Sequence, residues 1–364
     1  MTMRIGINGF GRIGRLALRS LLQRRPDLEV AAINDRGAPE INAYMFKYDS
    51  TYGTYPGQIE AQGNYLLIEG RKIYMLSHLN PLEIPWADLG VELVIEATGV
   101  FRDADKAAAH LEAGARRVLI TAPSKGVPVT VVMGVNQDAY DPTVHQIVSA
   151  ASCTTNCLAP VAKVLLNTFG IQHGVMSTIH SYTNDQRILD KSHPDPRRAR
   201  AAAANIIPTT TGATRALGEV IPALANKFRG ISYRVPTITV SVVDLVVELE
   251  HPATEEEVNS AFRRAASGYL NGILTLTHEP VVSSDLKGMH YSAIVDGLST
   301  VVVPDSKMVR VVAWYDNEWG YASRVVDLAH YMIEHEVEQV PSPGPWHVTE
   351  EEIAQRLVVA EFES

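Results

Sequence analysis

Gly9-Phe10-Gly11-Arg12-Ile13-Gly14 sets the tightest limit on the fold of this 364-residue chain. The run fits G-x-G-x-x-G, and its setting gives it meaning. Met3 to Asn8 reads as a short buried strand, and Leu16, Leu18, Leu21 and Leu22 follow at helical spacing. Strand, glycine turn and helix open a βαβ unit. Glycines let the backbone approach a pyrophosphate, and the helix N-terminus favours its charge. A second apolar strand, Leu28 to Ile33, ends in Asn34-Asp35. An acidic residue about 20 positions beyond the glycines can accept bonds from ribose hydroxyls. Gly9, Gly11, Gly14 and Asp35 therefore point to a dinucleotide site. The competing reading is a tight βα turn in an α/β protein that binds something else.

The first half keeps this α/β rhythm. Leu93 to Gly99 is a strand ending in a glycine, a helix is expected over about 103–114, and Arg117 to Ala122 is another strand. Val129 to Met133 and Gln146 to Val148 are shorter strand candidates. Residues 50–75 alternate apolar positions among Tyr and Gly, which suggests an antiparallel hairpin insertion.

Both cysteines fall in Ser152-Cys153-Thr154-Thr155-Asn156-Cys157. Ser152 is a good N-cap for a helix running toward Gly170, bent or restarted at Pro160. Cys153 then sits in the first turn, where unpaired N–H groups and the helix dipole lower a thiol pKa. Cys157, one turn deeper, reads as a buried apolar residue. Val175 to His180 is a strand whose last residue is a base of suitable pKa range for a nucleophilic thiol. Arg187, Arg197, Arg198 and Arg200, then Thr209-Thr210-Thr211-Gly212, suit a phosphate or a carboxylate. A solvated, salt-bridged loop is the alternative for that segment.

Beyond Ile231 the pattern turns to strands: Ser232 to Val235, Ile238 to Glu248, Val281 to Ser283, Ala293 to Asp296 and Lys307 to Trp314, with a helix over 254–268. Few intervening helices imply a largely antiparallel sheet. The fold expected is an α/β Rossmann dinucleotide-binding domain plus an α+β catalytic domain with a largely antiparallel sheet. The boundaries expected are 1–151 together with a C-terminal helix at about 318–336, then 152–317, then an extension over 338–364. In that extension Val340 to Pro345 is a linker, and Thr349 to Glu352 resembles a capping box.

A formal charge of −9 argues against a nucleic-acid or anionic-membrane partner. No apolar run reaches the ~18–20 residues that span a bilayer. The N-terminus lacks a secretory pattern, and two cysteines four apart are no disulfide framework, so a reducing, cytoplasmic setting is expected. No metal site is expected.

Ile-Asn-Gly-Phe-Gly-Arg-Ile-Gly, Ser-Cys-Thr-Thr-Asn-Cys-Leu-Ala-Pro, His-Ser-Tyr-Thr-Asn-Asp-Gln, Arg-Arg-Ala-Arg-Ala-Ala-Ala, Ile-Ile-Pro-Thr-Thr-Thr-Gly-Ala and Trp-Tyr-Asp-Asn-Glu-Trp-Gly-Tyr-Ala-Ser-Arg-Val-Val-Asp occur in this order. The chain thus resembles the phosphorylating glyceraldehyde-3-phosphate dehydrogenases from about residue 3 to about 332. The resemblance implies oxidation of glyceraldehyde 3-phosphate with inorganic phosphate and with NAD and/or NADP, by a homotetramer. It implies Cys153 as nucleophile and His180 as its base. Ser152, Thr154, Thr211 and Gly212 correspond to the site of the attacking phosphate, Thr183 and Arg234 to that of the substrate's phosphate, and Arg198 to an anion contact near both. Arg12 and Ile13 correspond to pyrophosphate contacts, Thr121 lies near the ribose, and Asn317 orients the nicotinamide amide.

Some positions depart from that pattern. Ala150 replaces an Asn, with an expected loss of local hydrogen bonding. Lys191-Ser192 replaces a Leu-Pro pair of strictly NAD-using members, and photosynthetic members that accept NADP carry the serine. Arg36 adds a cation where a 2′-phosphate would sit, whereas Asp35 repels one and Leu79 replaces an arginine that helps bind it. Dual use of NAD and NADP is the expectation. The extension lacks a cysteine, which excludes a thiol switch through it. Its acidic segment could fold over the basic 191–200 region and hinder NADP, or it could be a flexible tail or pack on its own subunit. Two other functions compete: an erythrose-4-phosphate dehydrogenase, and a non-catalytic regulatory homologue.

Overall fold

The computed structural model describes residues 3–336. The extension from 338, with its linker and capping box, lies outside the described residues. The chain forms two compact units. The first comprises residues up to Thr130, Asp138–Ala150 and the chain from Val325 onward; the second comprises Val131–Gln137 and Ala151–Arg324. Relative to the boundaries expected from sequence, 131–137 groups with the second unit. The last helix divides between Arg324 and Val325.

In the first unit the chain runs β1 (Arg4–Asn8), α1 (Arg12–Arg24), β2 (Glu29–Asn34), α2 (Pro39–Lys47), β3 (Tyr48–Asp49), β4 (Gly53–Thr54), β5 (Ile59–Gln62), β6 (Tyr65–Ile68), β7 (Arg71–Leu76), β8 (Val91–Glu96), α3 (Ala104–Ala107), α4 (Ala109–Glu112), β9 (Arg117–Ile120), β10 (Val129–Thr130) and β11 (Ile147–Ser149). Nine of these strands form one sheet in the order β10-β11-β9-β8-β1-β2-β7-β6-β5. From β10 to β7 every pair is parallel, and β6 and β5 add an antiparallel edge. Ile5, Ile7, Ile33, Val94 and Leu119 are buried, as a sheet built of βαβ crossovers requires. The hairpin expected over 50–75 is this edge meander. The single helix expected near 103–114 is two short helices. The expected strand Val129 to Met133 stops at Thr130.

The second unit runs α5 (Cys153–Phe169), β12 (Ile171–Ser181), β13 (Ile207–Thr209), α6 (Ala213–Val220), β14 (Phe228–Val235), β15 (Ser241–Leu249), α7 (Glu255–Ser267), β16 (Leu274–Thr277), β17 (Ala293–Asp296), β18 (Val301–Val302) and β19 (Met308–Tyr315). α8 (Trp319–Glu334) begins here and ends in the first unit. The sheet order is β13-β14-β12-β15-β19-β17-β16. Only β12–β14 and β16–β17 are parallel, so the sheet is mixed and largely antiparallel. α5 buries Cys157, Leu158, Val161 and Leu165 in a core shared with Val243, Leu245 and Val311. Burial of each such aliphatic chain contributes about 1.5–3 kcal/mol.

Two local expectations are corrected. Pro160 does not restart α5, which is one helix from Cys153 to Phe169. Proline removes only the amide that would have reached Asn156, and apolar contacts along the helix outweigh that loss. Val281 to Ser283 is not a strand. Val282 precedes a 3₁₀ turn, Ser283–Leu286, and its N–H donates to Asp285 Oδ2 at 2.8 Å.

Candidate active site

In the first unit the glycine turn joins β1 to α1. Gly9 has φ +94°, and a Cβ there would stand 2.6 Å from Thr98 N; a Cβ on Gly14 would stand 2.1 Å from Gly9 O. Both positions require glycine. Gly11, the N-cap of α1, meets nothing within 4 Å. Its bare side opens on space at a helix N-terminus, which fits a pyrophosphate. Arg12 and Ile13 form the first turn. Arg12 is paired with buried Asp49, which also accepts from Thr51 N and Tyr52 N. Asp35 holds the turn: its carboxylate accepts from Phe10 N at 2.8 Å and from Gly37 N at 3.0 Å. Arg36 beside it is exposed, as is Leu79. Thr121 follows β9, with its N–H and hydroxyl both on Glu96 O.

In the second unit Ser152 caps α5, its Oγ accepting from Thr155 N at 3.0 Å, and Cys153 is the first helical residue. Ala151, just before the cap, has φ +56°, a conformation that non-glycine residues rarely adopt. The hydroxyl of Tyr321 donates to Ala151 O at 2.8 Å and holds that peptide. Cys153 Sγ lies 3.5 Å from His180 Nε2. His180 Nδ1 is 2.7 Å from Ser181 O and 3.0 Å from Arg234 Nη1. The shorter contact, to a carbonyl, needs a proton on Nδ1; Arg234 then donates to Ser181 O at 3.1 Å. That tautomer leaves the Nε2 lone pair facing the thiol.

Burial sets the charge state of the pair. It pushes the Cys153 thiol up from its ordinary 9.0, against the Arg234 charge and hydrogen bonds from Thr154. This corrects the expectation that a helix start lowers the thiol: here the loss of solvation outweighs the favourable dipoles. Burial, then Arg234, pulls His180 down to about 3, against the Ser181 carbonyl. Both shifts favour the uncharged form of each group.

Cations and hydroxyls surround this pair. Arg234 on β14 lies directly across from His180 on β12. Its Nε is buried without a hydrogen-bond partner among the described residues, and Nη1 is 3.5 Å from Thr183 Oγ1. Gln186, whose Oε1 accepts from Thr183 N, likewise has a buried, unpartnered Nε2. Orphaned buried donors of this kind fit an oxyanion. Arg198 donates to Thr209 Oγ1 at 3.0 Å and pairs with Asp185 at 2.5 Å, and its charge acts on both His180 and Arg234. Thr211 Oγ1 accepts from Ala213 N, and exposed Gly212 caps α6.

The structure thus brings Ser152, Cys153, Thr154, His180, Thr183, Arg198 and Arg234 together. It places Thr211 and Gly212 at the start of α6, beyond Thr210, whose carbonyl accepts from Arg198 at 3.3 Å. Ser192 lies exposed on the polar loop, its carbonyl accepting from Arg187. Asn317 is buried, and its Oδ1 accepts from Ser181 Oγ and Ser241 Oγ, which turns its NH₂ the other way. Sequence reasoning missed Tyr315, Thr178, Tyr321 and Gln186. Tyr315 ends β19 and Tyr321 lies in the first turn of α8, but no local pattern marks them as neighbours of the thiol.

A Rossmann-type sheet with a glycine turn, followed by a unit on a mixed sheet that carries a thiol and a histidine, fits the architecture of a dinucleotide-dependent oxidoreductase. The chain belongs to the glyceraldehyde-3-phosphate dehydrogenase family. Residues 3–104 match the family's NAD binding domain and 152–317 its C-terminal domain. It is 54% identical over 332 residues to the glyceraldehyde-3-phosphate dehydrogenase of Geobacillus stearothermophilus, covering 91% of this chain and 98% of that protein. Identity to the Streptomyces coelicolor protein of the same name is 51% over 333 residues, covering 91% and 99%. Identity to glyceraldehyde-3-phosphate dehydrogenase 1 of Bacillus subtilis is 51% over 332 residues, covering 91% and 98%.

Proposed function

We propose that the chain catalyses the reversible oxidative phosphorylation of D-glyceraldehyde 3-phosphate to 1,3-bisphosphoglycerate, with reduction of NAD or NADP. The observation that carries this reading is the 3.5 Å approach of Cys153 Sγ to His180 Nε2 beside the orphaned Arg234 donor. His180 takes the thiol proton as sulfur attacks the aldehyde carbon, and returns it to the forming hydroxyl of a thiohemiacetal. It takes the hydroxyl proton again as the carbon is oxidised to a thioester. A nicotinamide cofactor, when bound, would supply the hydride acceptor. Inorganic phosphate then displaces Cys153 sulfur and leaves as the acyl phosphate. Arg234 and Thr183 hold the substrate's phosphate. Ser152, Thr154, Thr211 and Gly212 hold the attacking one, with Arg198 serving both. In the first unit, Gly9, Gly11, Arg12, Ile13 and Gly14 cradle the pyrophosphate, and Asp35 and Thr121 face ribose hydroxyls. Asn317 presents its NH₂ to the carboxamide.

Steady-state kinetics test this: turnover of glyceraldehyde 3-phosphate that requires phosphate is expected. Equal or better turnover of erythrose 4-phosphate would overturn the substrate assignment. Activity that survives alkylation of Cys153 would overturn the mechanism and favour a non-catalytic role for the thiol.

Use of NADP beside NAD is the finer reading. Exposed Arg36 and Ser192 support it. Asp35 opposes it, although its two backbone hydrogen bonds already satisfy part of its acceptor capacity. A specificity constant for NAD more than about a hundredfold above that for NADP, ~2.7 kcal/mol, would overturn it. Exposed Ile188 and Leu189 on the polar loop support a homotetramer, which mass in solution tests. No described helix is long and apolar enough to cross a membrane. A cytoplasmic location is the proposal, tested by cell fractionation.

A further inference from the structure

β1, β2 and β8 are neighbours in the parallel sheet, and Asn8, Asn34 and Glu96, at their C-terminal ends, stand in register. All three side chains are buried, and they form a ladder one layer below the glycine turn. Asn8 Nδ2 donates to Glu96 Oε2 at 2.6 Å, and Asn34 Nδ2 donates to Asn8 Oδ1 at 2.8 Å. His78 N in turn donates to Asn34 Oδ1 at 2.8 Å. From the other side, Trp86 Nε1 donates to His110 Nδ1 at 3.0 Å, and His110 Nε2 lies 3.0 Å from the same Glu96 Oε2. Glu96 Oε1 receives Thr98 N at 2.8 Å and the Thr98 hydroxyl at 2.5 Å; that hydroxyl accepts from Val100 N.

The direction of every bond in this ladder follows from its ends. An indole N–H and a backbone N–H can only donate. The first fixes His110 as the Nε2–H tautomer, and the second fixes both asparagine amides with their NH₂ toward Glu96. The donor chains therefore converge, and the group where they meet must accept on both oxygens. Only a carboxylate does so. A glutamine at 96 would face N–H with N–H whichever way it turned: toward Asn8 and His110 in one orientation, toward Thr98 N in the other.

We infer that Glu96 is a positioning residue for the cofactor crevice, a reading that rests on the nucleotide site proposed for the first unit. The backbone at its two ends forms that crevice. Gly9 N donates to Asn34 O, Ala97 N donates to Asn8 O, and Gly9 has room for no Cβ against Thr98. Ligands of open α/β sheets bind at this carboxyl edge. Glu96 holds the glycine turn and the Thr98–Gly99 turn at one spacing without touching the cofactor.

E96Q in the full-length protein is the test, with NAD dissociation constant, kcat, melting temperature and iodoacetamide reactivity of Cys153 as readouts. The dissociation constant is expected to rise by about tenfold. kcat at saturating NAD should stay within about threefold, and Cys153 reactivity without NAD should not change. A variant that melts earlier but binds NAD as the parent does would show a purely structural role and overturn the inference. If E96Q does not fold, T98V removes one donor at the edge of the ladder; unchanged NAD affinity there overturns the inference equally. A parent protein that binds no NAD would instead overturn the nucleotide reading.

Discussion

The phenol oxygen of Tyr315 lies 2.9 Å from Thr154 Oγ1 and 2.9 Å from Thr178 Oγ1, wholly out of solvent. It ties the first turn of α5 to β12, the two elements that carry Cys153 and His180. Its ring also meets the His180 imidazole edge-on. Y315F keeps the ring and removes the hydroxyl, leaving two threonine hydroxyls to find other partners. A loss of about 1–2 kcal/mol in unfolding free energy is expected, read by denaturant titration. kcat should fall by less than about tenfold, because the imidazole contact survives.

His180 titrates in the unfolded chain near its ordinary 6.5 and in the folded chain near 3. Between those values the unfolded state binds the extra proton, so stability falls as pH drops from about 6.5 toward 3. From pH 6.5 to 4.5 this group alone should remove roughly 2–3 kcal/mol. H180N carries no such proton. Melting curves at the two pH values should show a smaller acid loss for H180N than for the parent, and equal losses would contradict the assignment.

Arg234 is the main charge that opposes the burial effect on Cys153. Removing it leaves the thiol still harder to ionise. At pH 8, alkylation of cofactor-free R234M by iodoacetamide should be slower than that of the parent by about tenfold, and its rate profile should move to higher pH. A faster reaction would mean that Arg234 shields the thiol and does not polarise it.

Ala151 holds a left-handed conformation immediately before the thiol helix. An L-residue spends about 1–2 kcal/mol there that glycine does not, and glycine loses part of this gain to its greater freedom when unfolded. A151G should therefore be more stable by about 0.5–1 kcal/mol. A destabilised A151G would show that the buried methyl group contributes more than the strain costs.

Strands of the first unit were readable because both faces of a parallel sheet are buried, which leaves uninterrupted apolar runs such as Val30–Ile33. α2 was not, since its exposed face carries Ile41, Tyr44 and Met45 and blurs the helical period. Val281 and Val282 looked like strand, but one carboxylate, Asp285, captured the Val282 amide and turned the chain. At the thiol, Cys153 and His180 carried enough local context to be named, whereas Arg234 entered only through the family resemblance. Tyr315 is joined to Thr154 and to Thr178 only across 161 and 137 residues of sequence, and pairings of that range leave no trace in spacing. The upward push on Cys153 was illegible for a related reason: helix capping is local, whereas burial is set by the whole fold.

The first unit is made of three separated stretches of chain, the last beginning at Val325. Its closing stretch is anchored within that unit: Asp327 pairs with Arg24, Glu336 with Arg117, and Tyr331 packs on Tyr140. A ribosome must therefore complete nearly the whole polypeptide before the domain that starts first can finish. Until then the C-terminal end of α1 and Arg117 lack these partners, so a nascent chain released early carries a first unit without its closing contacts.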